Sequence, residues 1–178
     1  FPPLMNAGAS GKGQHFAAKY ADIAFIHIDP SDLEKTKAHI AAYRRLAREE
    51  YGRNIQIWIG APVTQRDTRK EAEDYVNYYV VEKGDDVACD NMLAIQNIEM
   101  HKMMPERAEK LRFGAKLGWG GYPLTGTADD IVAALAKLSD IGVDGVLVRW
   151  VDYWDGLRRW HKDVMPRLTQ AGLRLAAV

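Results

Sequence analysis

The alternation of apolar and polar positions along the chain predicts strands that alternate with helices. Short, nearly continuous apolar runs typical of buried strands lie at Leu4–Ala7, Asp22–Ile28, Ile55–Ile59 and Val143–Trp150. Because buried strands separated by helices pair in parallel through right-handed crossovers, the pattern predicts the α/β class. A small open sheet and half of an eight-stranded barrel both fit this order of elements.

Apolar residues that recur at helical spacing predict helices between these runs. The first helix is predicted over Gly11–Ala21. Ser31 is expected to cap the next helix, because Glu34 lies three residues later as in a capping box, and Gly52 is expected to end it. A third helix is predicted over Asp67–Lys83.

The remaining elements lie in the second half of the chain. Residues 84–121 mix short helical pieces with glycines, which is typical of an insertion. Thr127 and Asp130 form the pattern of another capping box, at the start of a helix that ends at Gly142. A last helix follows the fourth strand, and Pro166 is expected to kink or end it.

The charge balance excludes several classes of partner. The 178 residues include 24 Lys and Arg against 24 Asp and Glu, without a long block of either sign. Neither nucleic acid nor a membrane surface is therefore an expected partner. No apolar run approaches the roughly 18 residues that a membrane span needs, and the first residues lack the pattern of a signal peptide.

A single cysteine and the first residues bear on where the protein works and how long it is. Cys89 excludes an internal disulfide framework and favours a reducing cytoplasm, and no motif around it indicates a nucleophile. The chain begins at Phe1 and enters a strand within three residues. We therefore expect it to be part of a longer protein.

The loop after the first predicted strand, Ala7–Ser10, has almost no side-chain bulk. Small residues let backbone N–H groups approach a phosphate, Ser10 adds a hydroxyl donor, and the following helix offers its positive end. The same residues fit a plain turn in which Ser10 is the N-cap. From the residues alone, both interpretations stay open.

One histidine and several aromatic residues lie where a pocket is expected. His27 ends the second predicted strand, at the edge where barrel enzymes have their active sites, although structural packing is the other interpretation. Trp119 and Tyr122 lie among glycines in GWGGYPLTG, which fits a mobile lid or a loop pinned by buried rings. Trp150, at the end of the fourth strand, is expected to line the same pocket.

The chain shows no catalytic or metal-binding motif. Its five histidines lack the spacing of metal ligands, so no metal is predicted. Asp129 and Asp130 lie in the first turn of a predicted helix, where capping explains them. Because no hydrolase or dinucleotide-binding signature is present, we assign no catalytic residue.

Two stretches resemble the flavin-dependent monooxygenases of the bacterial luciferase type. They are NAGASGKGQHFAAKYADIAF near the start and GGYPLTGTADDIVAALAKLSDIGVDGVLVRWVDYWDGLRRWHKDVMPRL near the end. The resemblance is nearest to the branch of dimethyl sulfone, alkanesulfonate and pyrimidine monooxygenases. It implies a TIM barrel of about twice this length. Residues 1–178 then supply strands five to eight, with 84–121 as a mobile insertion, and an N-terminal half completes the barrel.

The same resemblance implies the activity and its partners. Reduced FMN comes from a separate NAD(P)H-dependent flavin reductase, O₂ is the co-substrate, and a small organosulfur compound, most simply a sulfone such as dimethyl sulfone, loses a carbon–sulfur bond. Ser10 contacts the FMN phosphate, with Gly8 and Ala9 supplying close backbone. A homodimer or homotetramer is expected. Pyrimidine oxygenation, an F420-dependent oxidoreductase and a non-catalytic flavin-binding protein are the alternatives.

One departure from the resembled enzymes concerns the substrate. Alkanesulfonate monooxygenases carry Arg-x-His on the seventh strand, where this chain has Gly60, Ala61 and Pro62. A second arginine of those enzymes, in the mobile loop, is replaced near Trp119. Because a buried anion without a cationic partner is costly, a neutral or apolar substrate is expected.

Overall fold

Parallel strands and helices alternate through residues 1–175, the part of the chain that the computed structural model describes. The strands are β1 (Met5–Asn6), β2 (Ile23–Phe25), β3 (Gln56–Gln65), β4 (Leu124–Gly126) and β5 (Gly145–Arg149). β1 pairs with β2 and β2 with β3, while β3 also pairs with β5 and β4, all in parallel. The predicted α/β class is confirmed.

Eight α-helices lie in the described residues. They are α1 (Gly11–Tyr20), α2 (Leu33–Tyr51), α3 (Arg69–Asn77), α4 (Asp86–Ile95), α5 (Pro105–Gly118), α6 (Ala128–Asp140), α7 (Tyr153–Arg159) and α8 (Met165–Gln170). π-Helical turns extend α3 over Tyr78–Glu82 and join α7 to α8 over Trp160–Val164, and a 3₁₀ turn at Met100–Lys102 lies between α4 and α5. None of the helices in residues 1–175 is long and apolar enough to span a membrane.

The third strand is longer than its sequence pattern predicts. It continues past Ile59 to Gln65, although Gly60 and Pro62 resemble strand breakers. Pro62 lies where β3 changes partner, because β5 pairs with β3 up to Pro62 and β4 pairs from Val63 onward. A missing N–H is tolerated at such a change of partner. The three-residue β4 was not predicted.

The start of α2 differs from the prediction. Its N-cap is Asp32, whose carboxylate accepts a hydrogen bond from the backbone N–H of Lys35 at 2.9 Å, so the assignment to Ser31 was wrong. Ser31 instead donates from its backbone and its hydroxyl to Asp29. The predicted end is confirmed, since Gly52 has the left-handed φ of 62° that favours glycine.

Two other predictions about helix ends have clear outcomes. The capping box of α6 is present, because Asp130 N–H donates to the Thr127 hydroxyl at 3.2 Å and Thr127 N–H donates to the Asp130 carboxylate at 2.9 Å. Pro166 lies in the first turn of α8, directly after a π-helical turn. The missing N–H of proline costs little at that position.

The two faces of the sheet have different surroundings. Ile57, Ile59 and Ala61 are buried and pack against the helices. Alternate residues of each strand point to the opposite face, which we call the inner face. Its residues are Met5, Ile23, Phe25, Gln56, Trp58, Gly60, Pro62, Gly145, Leu147 and Arg149. Met5 and Leu147 remain 45% and 51% exposed there.

Asp144 fixes the position of β5 against β3. Its carboxylate accepts hydrogen bonds from the backbone N–H of Ile57 at 2.7 Å and from the Arg44 guanidinium at 2.8 Å. Arg44 also donates to the carbonyl of Gly142. This attachment at the start of β5 sets the register that places Arg149 opposite Pro62 at its end.

We predict that the isolated 178-residue polypeptide self-associates. Within the described residues, β1 and β5 each pair on one side only, and the inner face leaves apolar side chains exposed. Unpaired strand edges and exposed apolar surface promote association. Size-exclusion chromatography with light scattering should show oligomers, and co-expression with an N-terminal half of the barrel should remove them. A stable, monodisperse monomer of 20.0 kDa would contradict the prediction.

Candidate functional site

The carboxyl ends of the parallel strands meet at one edge of the sheet. β1 leads into the Ala7–Ser10 loop, β2 leads to His27, and β5 ends at Arg149. In parallel α/β proteins, ligands bind at this edge because the loops that follow the strands converge there. The candidate site therefore lies between these loops and the inner face.

The Ala7–Ser10 loop is held by hydrogen bonds at several points. Gly8 N–H donates to the side-chain oxygen of Asn6 at 2.9 Å, and the Tyr43 hydroxyl donates to the Gly8 carbonyl at 3.3 Å. Ser10 is the N-cap of α1, where its hydroxyl oxygen accepts from Gly13 N–H at 3.1 Å. The loop is thus fixed both to the preceding strand and to the first turn of α1.

Close backbone contact joins this loop to α1. A Cβ atom on Gly13 would lie 2.8 Å from the Cα of Gly8, and one on Gly8 would lie 2.9 Å from the Cα of Gly13. Real Cβ atoms do not approach backbone so closely, so both positions need glycine. Gly11, in the same turn, has nothing within 4 Å of such an atom.

The start of α1 differs in charge from the other helices. Its first turn has no acidic residue and carries Lys12, whereas each other α-helix with a side-chain N-cap has an acid in its first turn. Ser10, Gly11 and Lys12 are exposed. First-turn N–H groups lack helical partners and carry the positive end of the helix dipole. By these general rules, an anion is favoured over a cation beside this helix start.

Arg149 ends β5 on the inner face and was not identified from the sequence. Its Nη2 donates to the carbonyls of Gly118 and Gly120. A Cβ atom on Gly60 would lie 2.7 Å from Nη1, so the guanidinium occupies the space above that glycine. Burial lowers the pKa of Arg149 from its usual value. The sequence feature that could have identified Arg149 is its position as a single cation at the end of the largely apolar run VDGVLVRW.

A glycine-rich segment, residues 118–121, crosses the inner face beside Arg149. Trp119 ends α5 in the left-handed conformation, and Gly120 and Gly121 have φ values of 76° and 93°. Tyr122 N–H then donates to the carbonyl of Gly60 at 2.9 Å. These contacts attach the end of the 84–121 segment to the centre of β3.

The segment before it consists largely of two helices. The Arg112 guanidinium on α5 donates through Nε and Nη2 to the Asp90 carboxylate on α4, at 2.6 and 2.7 Å. Trp119 lines a cavity of about 300 Å³ beside these helices, together with Tyr79 and Lys116. That this segment is an insertion and that it moves both stay predictions.

The other residues expected in the pocket have separate surroundings. His27 is exposed just after β2, and Tyr122 is partly buried against the helical core. Trp150 packs on the helix side of the sheet, with its ring centroid 5.8 Å from those of Tyr153 and Trp160. A common pocket or lid for His27, Trp119, Tyr122 and Trp150 stays a prediction. Among the described residues, no cluster of His, Cys, Asp or Glu is placed to hold a metal ion.

We predict opposite effects for two alanine substitutions in the first turn of α1. Glycine to alanine in a helix usually stabilises by about 0.5–1 kcal/mol, and Gly11→Ala should follow that rule. Gly13→Ala should instead lower the free energy of unfolding by about 1–3 kcal/mol, because the new methyl group meets the Gly8 backbone. Urea denaturation of the full-length protein measures both. Equal stability of the two variants would mean that the loop and helix are not in tight contact.

Known proteins resemble this chain in sequence and in fold. A family model described as luciferase-like monooxygenase matches residues 1–145. Pyrimidine monooxygenase RutA of Agrobacterium fabrum (strain C58 / ATCC 33970) is 24% identical over 174 residues, which are 92% of this chain and 45% of RutA.

Two solved structures share the fold. Long-chain alkane monooxygenase LadA matches with a TM-score of 0.79 and 22% identity, over 98% of this chain and 43% of LadA. Riboflavin lyase RcaE, solved with modified FMN and riboflavin, matches with a TM-score of 0.79 and 19% identity, over 99% of this chain and 44% of RcaE. The chain thus spans less than half the length of these relatives, and it forms part of a TIM barrel, as predicted. It belongs to the luciferase-like monooxygenase family.

Proposed function

We propose that the full-length protein is an FMN-dependent monooxygenase in which the Ala7–Ser10 loop and the start of α1 hold the FMN phosphate. The observation that carries this proposal is the Gly8–Gly13 contact next to a first helical turn that has Lys12 and no acid. Family membership supports a flavin, and the relative RcaE was solved with a modified FMN.

The residues present suit a phosphate group. The Ser10 oxygen accepts the hydrogen bond from Gly13, which leaves the hydroxyl proton free to be donated to an anion. The backbone N–H groups of Gly11 and Lys12 are first-turn donors without helical partners. The Lys12 ammonium adds a positive charge beside them. These groups would together hold a dianion in water-exposed surroundings.

The cofactor supplies the oxidative chemistry in this proposal. When bound in its reduced form, FMN would supply the two electrons that monooxygenation requires, in which one oxygen atom of O₂ enters the substrate and the other leaves as water. The protein needs no strong acid or base of its own for that transfer. Its residues hold the phosphate, place the substrate on the inner face and exclude water there, for which the 118–121 segment is well positioned.

The partners follow from the same proposal. A separate NAD(P)H-dependent flavin reductase supplies reduced FMN in the cytoplasm, and an N-terminal half completes the barrel. The assembled protein is a homodimer or homotetramer. Because the chain spans under half the length of its relatives, these partners belong to the full-length protein and not to residues 1–178 alone.

The proposed substrate is a small organosulfur compound, most simply a sulfone such as dimethyl sulfone, cleaved at carbon–sulfur. The Arg149 guanidinium fills the space above Gly60 on the inner face, which supports a compact substrate. Similarity to RutA favours a pyrimidine ring as the second candidate. A neutral substrate was expected because positions 60–62 and 119 carry no cation. Arg149, which lies opposite Pro62, places a cation on the same face.

We predict that two substitutions at Ser10 separate capping from phosphate binding. Ser10→Ala removes both the cap and the donor, so FMN affinity should fall by about 1–3 kcal/mol and stability by about 1 kcal/mol. Ser10→Asp retains a capping oxygen but places a carboxylate beside the phosphate. It should therefore keep the stability and lose more affinity than Ser10→Ala.

Fluorescence titration of the full-length protein with FMN, together with urea denaturation, tests both expectations. Thr68→Ala is the matched control, because it removes the side-chain N-cap of α3, outside the Ala7–Ser10 loop, and should lower stability without changing FMN affinity. Flavin affinity that stays at the wild-type value in both Ser10 variants would exclude this loop as the phosphate site.

A further inference from the structure

The hydrogen bonding of Arg149 is incomplete within the described part of the chain. A guanidinium has five N–H donors. Nη2 donates to the carbonyls of Gly118 and Gly120, and no hydrogen bond within residues 1–175 uses Nε or Nη1. Three donors of a half-buried side chain are therefore available to another molecule or to the other half of the barrel.

Arg149 also differs from the other partly buried arginines. Each of those forms an ion pair with a carboxylate: Arg44 with Asp144, Arg53 with Asp22, Arg66 with Asp155, Arg112 with Asp90, Arg159 with Asp67 and Asp155, and Arg167 with Asp129. Arg149 has no carboxylate partner within residues 1–175. A cation removed from water without a counter-charge is costly, which favours an acceptor that binds there.

The free donors lie on the inner face, at the carboxyl end of the strands. Nη1 lies above Gly60, and a Cβ atom on Gly60 would meet both Nη1, at 2.7 Å, and the Phe25 ring, at 3.3 Å. The two glycine carbonyls hold Nη2, and this fixes the plane of the guanidinium. Nε and Nη1 are then the donors left for a ligand.

We propose that Arg149 binds an oxygen-bearing acceptor group of the substrate through Nη1. The group is a sulfonyl, carboxyl or ring carbonyl oxygen, and a plain hydrocarbon does not satisfy it. This inference rests on the proposed monooxygenase function and narrows its substrate class. Arg149 becomes a specificity-determining residue, while oxygen activation stays with the cofactor.

A merely structural role for Arg149 makes a different prediction. As a support for residues 118–121, it needs only the two donors of Nη2, and its loss should weaken all ligands alike. As a substrate-binding residue, its loss should act on oxygen-bearing compounds and spare both FMN and hydrocarbons. Ligand selectivity therefore separates the two roles.

The test uses full-length Arg149→Met and Arg149→Lys, with FMN bound. Calorimetry measures the binding of dimethyl sulfone, methanesulfonate, uracil and octane, and a reductase-coupled assay measures turnover. For each oxygen-bearing compound that binds the wild type, Arg149→Met should raise the Kd and the KM at least about tenfold, with a smaller change in kcat. Arg149→Lys should recover part of the affinity, and FMN affinity should stay within about twofold.

Two further variants complete the test, one that displaces the guanidinium and one that removes a different arginine. Gly60→Ala keeps the arginine but places a methyl group 2.7 Å from Nη1, so it should cause the same selective loss by displacing the guanidinium. Arg53→Met removes a partly buried arginine that pairs with Asp22 at the opposite end of the sheet, and it should leave ligand binding unchanged.

Several results would overturn the inference. They are wild-type affinity of Arg149→Met for the oxygen-bearing compounds, an equal loss for octane or FMN, and binding of octane alone by the wild type. Failure of every oxygen-bearing compound to bind the wild type also counts against it. A wild type that binds these compounds but does not oxygenate them would instead refute the proposed function and leave the role of Arg149 intact.

Discussion

Alternation along β3 is the constraint on which the rest of the structure depends. Because successive residues of a strand point to opposite faces, Ile57, Ile59 and Ala61 are buried by the helices. The residues that alternate with them, which include Gly60 and Pro62, must then lie on the inner face. A shift of one residue would bury the wrong set, so the register of β3 determines which side chains reach the candidate site.

Both parts of the candidate site are formed by the absence of side chains. Gly8 and Gly13 bring the Ala7–Ser10 loop against α1, and Gly60 leaves the space that the Arg149 guanidinium occupies. Excluded volume sets the geometry in each case, since a single added methyl group would displace backbone or a cation. Glycine at these positions contributes little to stability by itself. It is needed because backbone atoms or a guanidinium must come close to it.

Local chemistry explains which features could be predicted from the sequence. The capping box at Thr127 and the left-handed glycine at Gly52 depend on neighbouring residues, and both were predicted. The length of β3 and the existence of β4 depend on pairing between distant segments, which periodicity does not show. Arg149 was missed for the same reason. Its significance comes from Gly60, Gly118 and Gly120, which are far from it in the chain.

The loop at Ser10 shows how one residue can fit two interpretations at once. An N-cap uses the hydroxyl oxygen as an acceptor, and a phosphate contact uses the hydroxyl proton as a donor, so one serine can do both. The discriminating feature is the charge around it. Lys12 at a helix start opposes the helix dipole and costs stability without an anion, whereas the other N-capped helices carry acids there. A turn that served only as a cap would gain from the same acids, so their absence from α1 agrees with the proposed anion-binding role.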